Sequence, residues 1–125
     1  MHLRNRGFSN AKILHRKGGN VDSGWMGSPF PHVPVLQTTV LHVLAPRPGE
    51  TVLDCTLGLG GHSASFLEAI APSGTLTALD ADPVNLNAAR ERLTPFADRA
   101  RLLHAHFRDV ATLGLGTFDV VFADL

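Results

Sequence analysis

The 125 residues leave room for one domain of ordinary size, and a composition of 44% apolar and 18% charged residues is that of a chain that packs a core. The single cysteine, Cys55, excludes an intrachain disulfide and a cysteine-built zinc site. No apolar run approaches the roughly 18 residues that a membrane span needs. The formal net charge of zero hides an asymmetry: residues 1–28 carry five basic side chains against one acid, and the remainder six against ten. A basic core that would hold nucleic acid by charge alone is therefore excluded.

Residues 1–31 contain five glycines, two prolines and no sustained periodicity, and read as a flexible basic leader. Its Arg-rich, acid-poor character leaves three origins open: an organelle-targeting segment, an upstream extension, or a start at Met26. Beyond it, Leu36, Val40, Val43 and Leu44 recur at helical spacing until Pro46 and Pro48 end the helix. Residues 51–56 form a short apolar strand, followed by a glycine-rich turn over 57–61 and a helix over 63–71. Residues 75–80 are the second strand. Asp82 before Pro83 is a helix start, an N-cap with proline in the first turn, and that helix runs to about Leu93. Residues 101–104 make a weaker third strand and residues 118–123 a fourth, β-branched and aromatic.

Strands alternating with helices, and too apolar to be half exposed, predict an α/β fold with a parallel, Rossmann-like sheet covered on both faces. With the four strands ordered third, second, first, fourth, the Val120–Phe122 strand is expected to be an uncovered apolar edge, its side chains partly exposed. On that ground residues 32–125 are expected to be the N-terminal part of a larger domain.

Ligands of open α/β sheets bind beyond the carboxyl ends of the strands, at the switch point beside the first strand. Three features converge there. Gly58, Gly60 and Gly61 let the backbone turn tightly and approach a ligand, ahead of a helix whose first N–H groups suit an anion. Asp80, 20 residues beyond Gly60, is placed to accept hydrogen bonds from ribose hydroxyls. Asp124 ends the fourth strand across the crevice. A dinucleotide fingerprint is imperfect because Ser63 stands where a small third residue is wanted. A carboxylate at Asp54 is also expected to face a pyrophosphate with like charge. S-adenosylmethionine, with its ammonium and sulfonium, suits Asp54 and Asp124, and its carboxylate suits the N–H groups of Gly60–His62. The charges predict that cofactor over NAD.

The segments His32-Val-Pro-Val-Leu36, Asp54-Cys-Thr-Leu-Gly-Leu-Gly-Gly-His-Ser63 and Leu79-Asp-Ala-Asp-Pro83 resemble the bacterial 16S ribosomal RNA (cytosine-N4) methyltransferase family, the MraW/RsmH type. The resemblance covers residues 32–125. It implies that Gly60, Gly61, His62, Asp80, Phe107 and Asp124 contact S-adenosylmethionine, with Phe107 against adenine. It also implies methyl transfer to the N4 amino group of a cytidine in small-subunit ribosomal RNA, or in the 30S particle that carries it. Ala81 and Cys55 depart from the family pattern, and the family continues after Asp-Leu with a Gly-x-Ser-Ser stretch and the rest of the sheet.

Plainer readings stand beside these. Phe107 alone reads as core, Asp82 as a helix cap, Cys55 as a small core hydrophobe, and His32, His104 and His106 lack the spacing of a metal site. Another S-adenosylmethionine-dependent methyltransferase, or a non-catalytic cofactor-binding piece, shares the same residues. Cytoplasmic location is expected, or mitochondrial if the leader is a transit peptide, with no membrane partner.

Overall fold

The computed structural model describes residues 11–16 and 35–125. Five strands, β1 (Lys12–Arg16), β2 (Thr51–Asp54), β3 (Thr75–Asp80), β4 (Ala100–His104) and β5 (Val120–Asp124), form one sheet ordered β1-β5-β2-β3-β4. Every neighbouring pair is parallel. Three helices connect them: α1 (Val35–Leu44), α2 (Gly61–Ala69) and α3 (Pro83–Arg92). The expected α/β architecture is present, and the four expected strands stand in the expected order.

Strand alternation divides the interior in two. Val52, Leu76, Ala78, Val120 and Phe122 face a cluster completed by Val40 and Leu44 of α1, Phe66 and Leu67 of α2, and Leu86 and Ala89 of α3. Leu53, Leu79, Val121 and Ala123 face the opposite cluster. The three helices therefore cover one face. The other is covered by the short 3₁₀ segment Phe107–Thr112, which contributes Val110, and by the partly buried Phe107, Leu115 and Phe118. Of the expected α1 stripe, Val40 and Leu44 are buried whereas Val43 is exposed, because only the first two point at the sheet.

One expectation is overturned at the β5 edge. Lys12–Arg16, inside the segment read as a flexible leader, is a strand that pairs Ile13 with Val121 and Leu14 with Phe122. Val120, Val121 and Phe122 are consequently at most 1% exposed. Full burial of each such side chain stabilises by about 1.5–3 kcal/mol, which is the driving force for covering the edge. The Lys12 ammonium donates to Ala45 O at 2.9 Å and to Glu50 Oε2 at 3.1 Å, so this cation is docked against the domain. Five residues with two large aliphatics carry little local signal, since their partner lies over 100 positions away. The rest of the leader and the His32-Val-Pro segment lie outside the described residues.

Candidate cofactor cleft

The carboxyl end of β2 passes directly into the glycine turn, and hydrogen bonds to both neighbouring strands hold that passage in place. Cys55 N–H donates to Phe122 O at 2.8 Å and Leu57 N–H to Leu79 O at 2.9 Å. Leu57 is buried in the helix-side core, so the turn is anchored by an apolar plug. Cys55 is buried too, and the loss of solvent pushes its thiol pKa up to about 12. It is the inert core hydrophobe expected of it.

Past Leu57 the backbone turns through Gly58 (φ 54°) and Gly60 (φ 88°), a region that residues with a β-carbon enter only at a cost. Gly60 also packs tightly, since a β-carbon there would lie 3.3 Å from Ala89 Cβ of α3. It is the N-cap of α2 and supplies no side-chain cap to the helix. The first turn of α2 therefore presents its backbone donors at the cleft, where the partial positive charge of the helix start favours an anion.

Asp80, ending β3, accepts Gly58 N–H at 2.8 Å on one carboxylate oxygen and Asp82 N–H at 2.8 Å on the other. Asn85 adds a longer contact of 3.4 Å. A carboxylate has about four acceptor positions, so capacity remains for a ligand hydroxyl. Asp82 caps α3 through Val84 N–H at 2.8 Å, with Pro83 following, as the sequence predicts.

Asp124 closes the other side. Its backbone N–H donates to Thr56 Oγ1 at 2.8 Å, and its carboxylate lies 3.9 Å from His62 Nε2. The His62 ring rests on Phe122, with centroids 4.7 Å apart, which sets the imidazole against the end of β5. Gly58, Gly61, His62, Thr56, Asp80 and Asp124, with Gln37 and Arg92, line an open cleft of about 520 Å³. That volume lies in the range of small-molecule sites, roughly 300–1,000 Å³.

Asp54 does something other than expected. It is fully buried and lines no part of the cleft. Its Oδ2 accepts the Ser63 hydroxyl at 2.7 Å and its Oδ1 accepts Thr56 N–H at 3.0 Å. Burial raises its pKa from 3.8 to about 6, against the lowering effect of those hydrogen bonds, and the nearby charges of Asp124 and Asp80 add to the rise. The carboxylate thus ties the start of α2 to the end of β2, and the expectation that it faces the ligand is corrected. Ser63, read from sequence as a defect in a glycine fingerprint, is its partner.

Phe107 sits at the carboxyl end of β4, its ring 4.4 Å from that of His106, partly buried against the second core cluster. It is not among the cleft-lining residues, and neither is Gly60, which is buried and donates its backbone N–H to Leu57 O at 3.0 Å, so the structure groups four of the six expected contacts, Gly61, His62, Asp80 and Asp124. Thr56, Gln37 and Arg92 were missed. The Thr56 interaction had a signal, because an aspartate commonly accepts the N–H two residues on. Gln37 and Arg92 had none, since helix packing alone brings them to the cleft.

A family model for the MraW methylase family matches residues 29–125. The chain belongs to the MraW methylase family. Among curated MraW-type relatives, the ribosomal RNA small subunit methyltransferase H of Symbiobacterium thermophilum is 46% identical over 100 residues, covering 77% of this chain and 31% of that protein. The enzyme of the same name from Nitratidesulfovibrio vulgaris is 51% identical over 78 residues, covering 62% and 22%. The chain spans about a third or less of the length of these relatives. A SAM-dependent O-methyltransferase of Thermotoga maritima superimposes with a TM-score of 0.62 at 21% identity, over 74% of this chain and 35% of that one, and shares the fold.

Proposed function

We propose that this chain carries the S-adenosylmethionine-binding part of a methyltransferase that acts on the N4 amino group of a cytidine in small-subunit ribosomal RNA. The observation that carries the reading is the placement of Asp80 and Asp124 on opposite sides of an uncapped, glycine-turned helix start, within one cleft. The arrangement fits the cofactor by chemistry: carboxylates for a sulfonium, an ammonium and ribose hydroxyls, and helix-start donors for a carboxylate. The relatives' names supply the ribosomal RNA, and a small-subunit RNA substrate is the ground for proposing a cytoplasmic location.

The cofactor, when bound, supplies a methyl group activated by its positive sulfur. Gly61 and His62 would hold its amino-acid end through backbone donors at the start of α2, and Asp80 would hold the ribose while fixing the turn through Gly58; the Gly60 N–H, which donates to Leu57 O at 3.0 Å, closes the turn instead. Phe107, three residues past the end of β4, would take the adenine, on the ground of the family resemblance. The exocyclic nitrogen of cytosine is conjugated with the ring and a weak nucleophile, so most of the rate comes from holding it in line with the methyl group in a cleft poor in water. Asp124 accepts a hydrogen bond from that amino group through a carboxylate oxygen, favouring the positive charge that develops on nitrogen as the new bond forms.

Asp80→Ala tests the assignment. Loss of the charge-assisted ribose contacts weakens S-adenosylhomocysteine binding by about 1.5–3 kcal/mol in calorimetry. Unchanged affinity would remove Asp80 from the site.

A further inference from the structure

Two side chains of the cleft wall, Gln37 of α1 and Arg92 of α3, take no part in the cofactor contacts proposed above. A β-carbon on Gly61 would lie 2.7 Å from Gln37 Nε2 of α1 and 3.6 Å from Arg92 Nη1 of α3. Two hydrogen-bond donors from different helices thus stand beside one another at Gly61, whose lack of a side chain leaves room for them. Gln37 is oriented by its other end, since Oε1 accepts the Ser65 hydroxyl at 3.4 Å. Among the described residues, neither the Gln37 amide nitrogen nor the Arg92 guanidinium has an acceptor or an ion-pair partner.

Adjacent donors without an acceptor call for an anion, and an arginine fork suits a phosphate oxygen pair. The charge of the rest of the cleft makes the need specific. Among the described residues Asp80 and Asp124 are the other formally charged residues lining it, and both are acidic. An RNA strand entering here meets repulsion on both of those walls. Among the described residues Arg92 is the one lining residue with a permanent positive charge, and it is exposed at the end of α3, where a strand can reach it.

We infer that Arg92 and Gln37 form a phosphate subsite that holds the backbone of the substrate RNA beside the cleft. The inference rests on the proposed RNA substrate. A cofactor carboxylate, the other anion that could come to this spot, is separated from it by the test.

The chain, with Arg92→Ala, Arg92→Lys and Arg90→Ala variants, is titrated with a fluorescent, cytidine-containing single-stranded RNA over roughly 50–200 mM salt, and separately with S-adenosylhomocysteine. Arg90 bonds Asn87 on its own helix and serves as the control. Arg92→Ala is expected to weaken RNA binding about five- to ten-fold and to lower the salt slope by about 0.7, the effect of one lost phosphate contact, with cofactor-product affinity unchanged. Arg92→Lys keeps the slope and loses affinity, which preserves the test if the alanine variant does not fold. Unchanged RNA binding in Arg92→Ala, an equal loss in Arg90→Ala, or a parallel loss of S-adenosylhomocysteine affinity overturns the subsite. Wild-type chain that binds S-adenosylhomocysteine and no RNA also overturns it while leaving the cofactor reading intact. Failure to bind S-adenosylhomocysteine overturns that reading instead.

Discussion

Raising the pH from about 3 to about 7 costs the wild-type chain stability on the order of 3 kcal/mol through one residue, and Asp54→Asn abolishes that contribution. Asp54 ionises near pH 6 in the fold and near 3.8 without it, chiefly because burial penalises the charge. Between these values the folded chain keeps a proton that the unfolded chain has released. The contribution is therefore fully present below about pH 3.8, is lost as pH rises through 6 and is flat above. Other carboxylates titrate in the same interval, so the informative quantity is the difference between wild-type and Asp54→Asn urea-unfolding curves at each pH. Asparagine keeps the volume, and the Ser63 hydroxyl can turn to accept from its amide, so the variant is expected to fold. Parallel stability profiles for the two proteins would show that Asp54 is not held as described.

Replacing Asp124 with alanine lowers turnover by on the order of 10²–10³-fold in a catalytically active preparation containing this domain, measured as methyl transfer to small-subunit ribosomal RNA. The residue ends β5 in the cleft, its backbone bonded to Thr56 and its carboxylate beside His62. Its backbone hydrogen bond does not depend on the side chain, so the fold survives the change and the loss falls on the chemical step. Near-normal turnover would reject the role given to Asp124.

How much of this was legible in the sequence depends on the distance over which each feature is determined. The β2 and β5 strands, the Asp82-Pro83 helix start and the glycine turn follow from residues within a few positions of one another, and they stand where expected. Asp80 and Asp124 were legible because strand ends in a parallel sheet converge at a switch point. Three features were not. β1 carries only Ile13 and Leu14 as large aliphatics and owes its existence to the open edge of a distant strand. Asp54 was placed correctly at the end of β2, but whether a strand-end carboxylate looks outward or inward depends on a buried partner, here Ser63. Arg92 and Gln37 reach the cleft because α1 and α3 pack around the start of α2, which neither local propensity nor motif spacing encodes.

On the proposed reading, the glycine turn between Asp80 and Asp124 receives a positively charged nucleoside cofactor. Isothermal titration of the chain with S-adenosylhomocysteine, S-adenosylmethionine and NAD tests it most directly. Saturable binding of the two adenosyl ligands, with no detectable heat from NAD, is the predicted result, because the carboxylates that line the cleft, Asp80 and Asp124, disfavour the two negative charges of a pyrophosphate. Preferential binding of NAD would contradict the account.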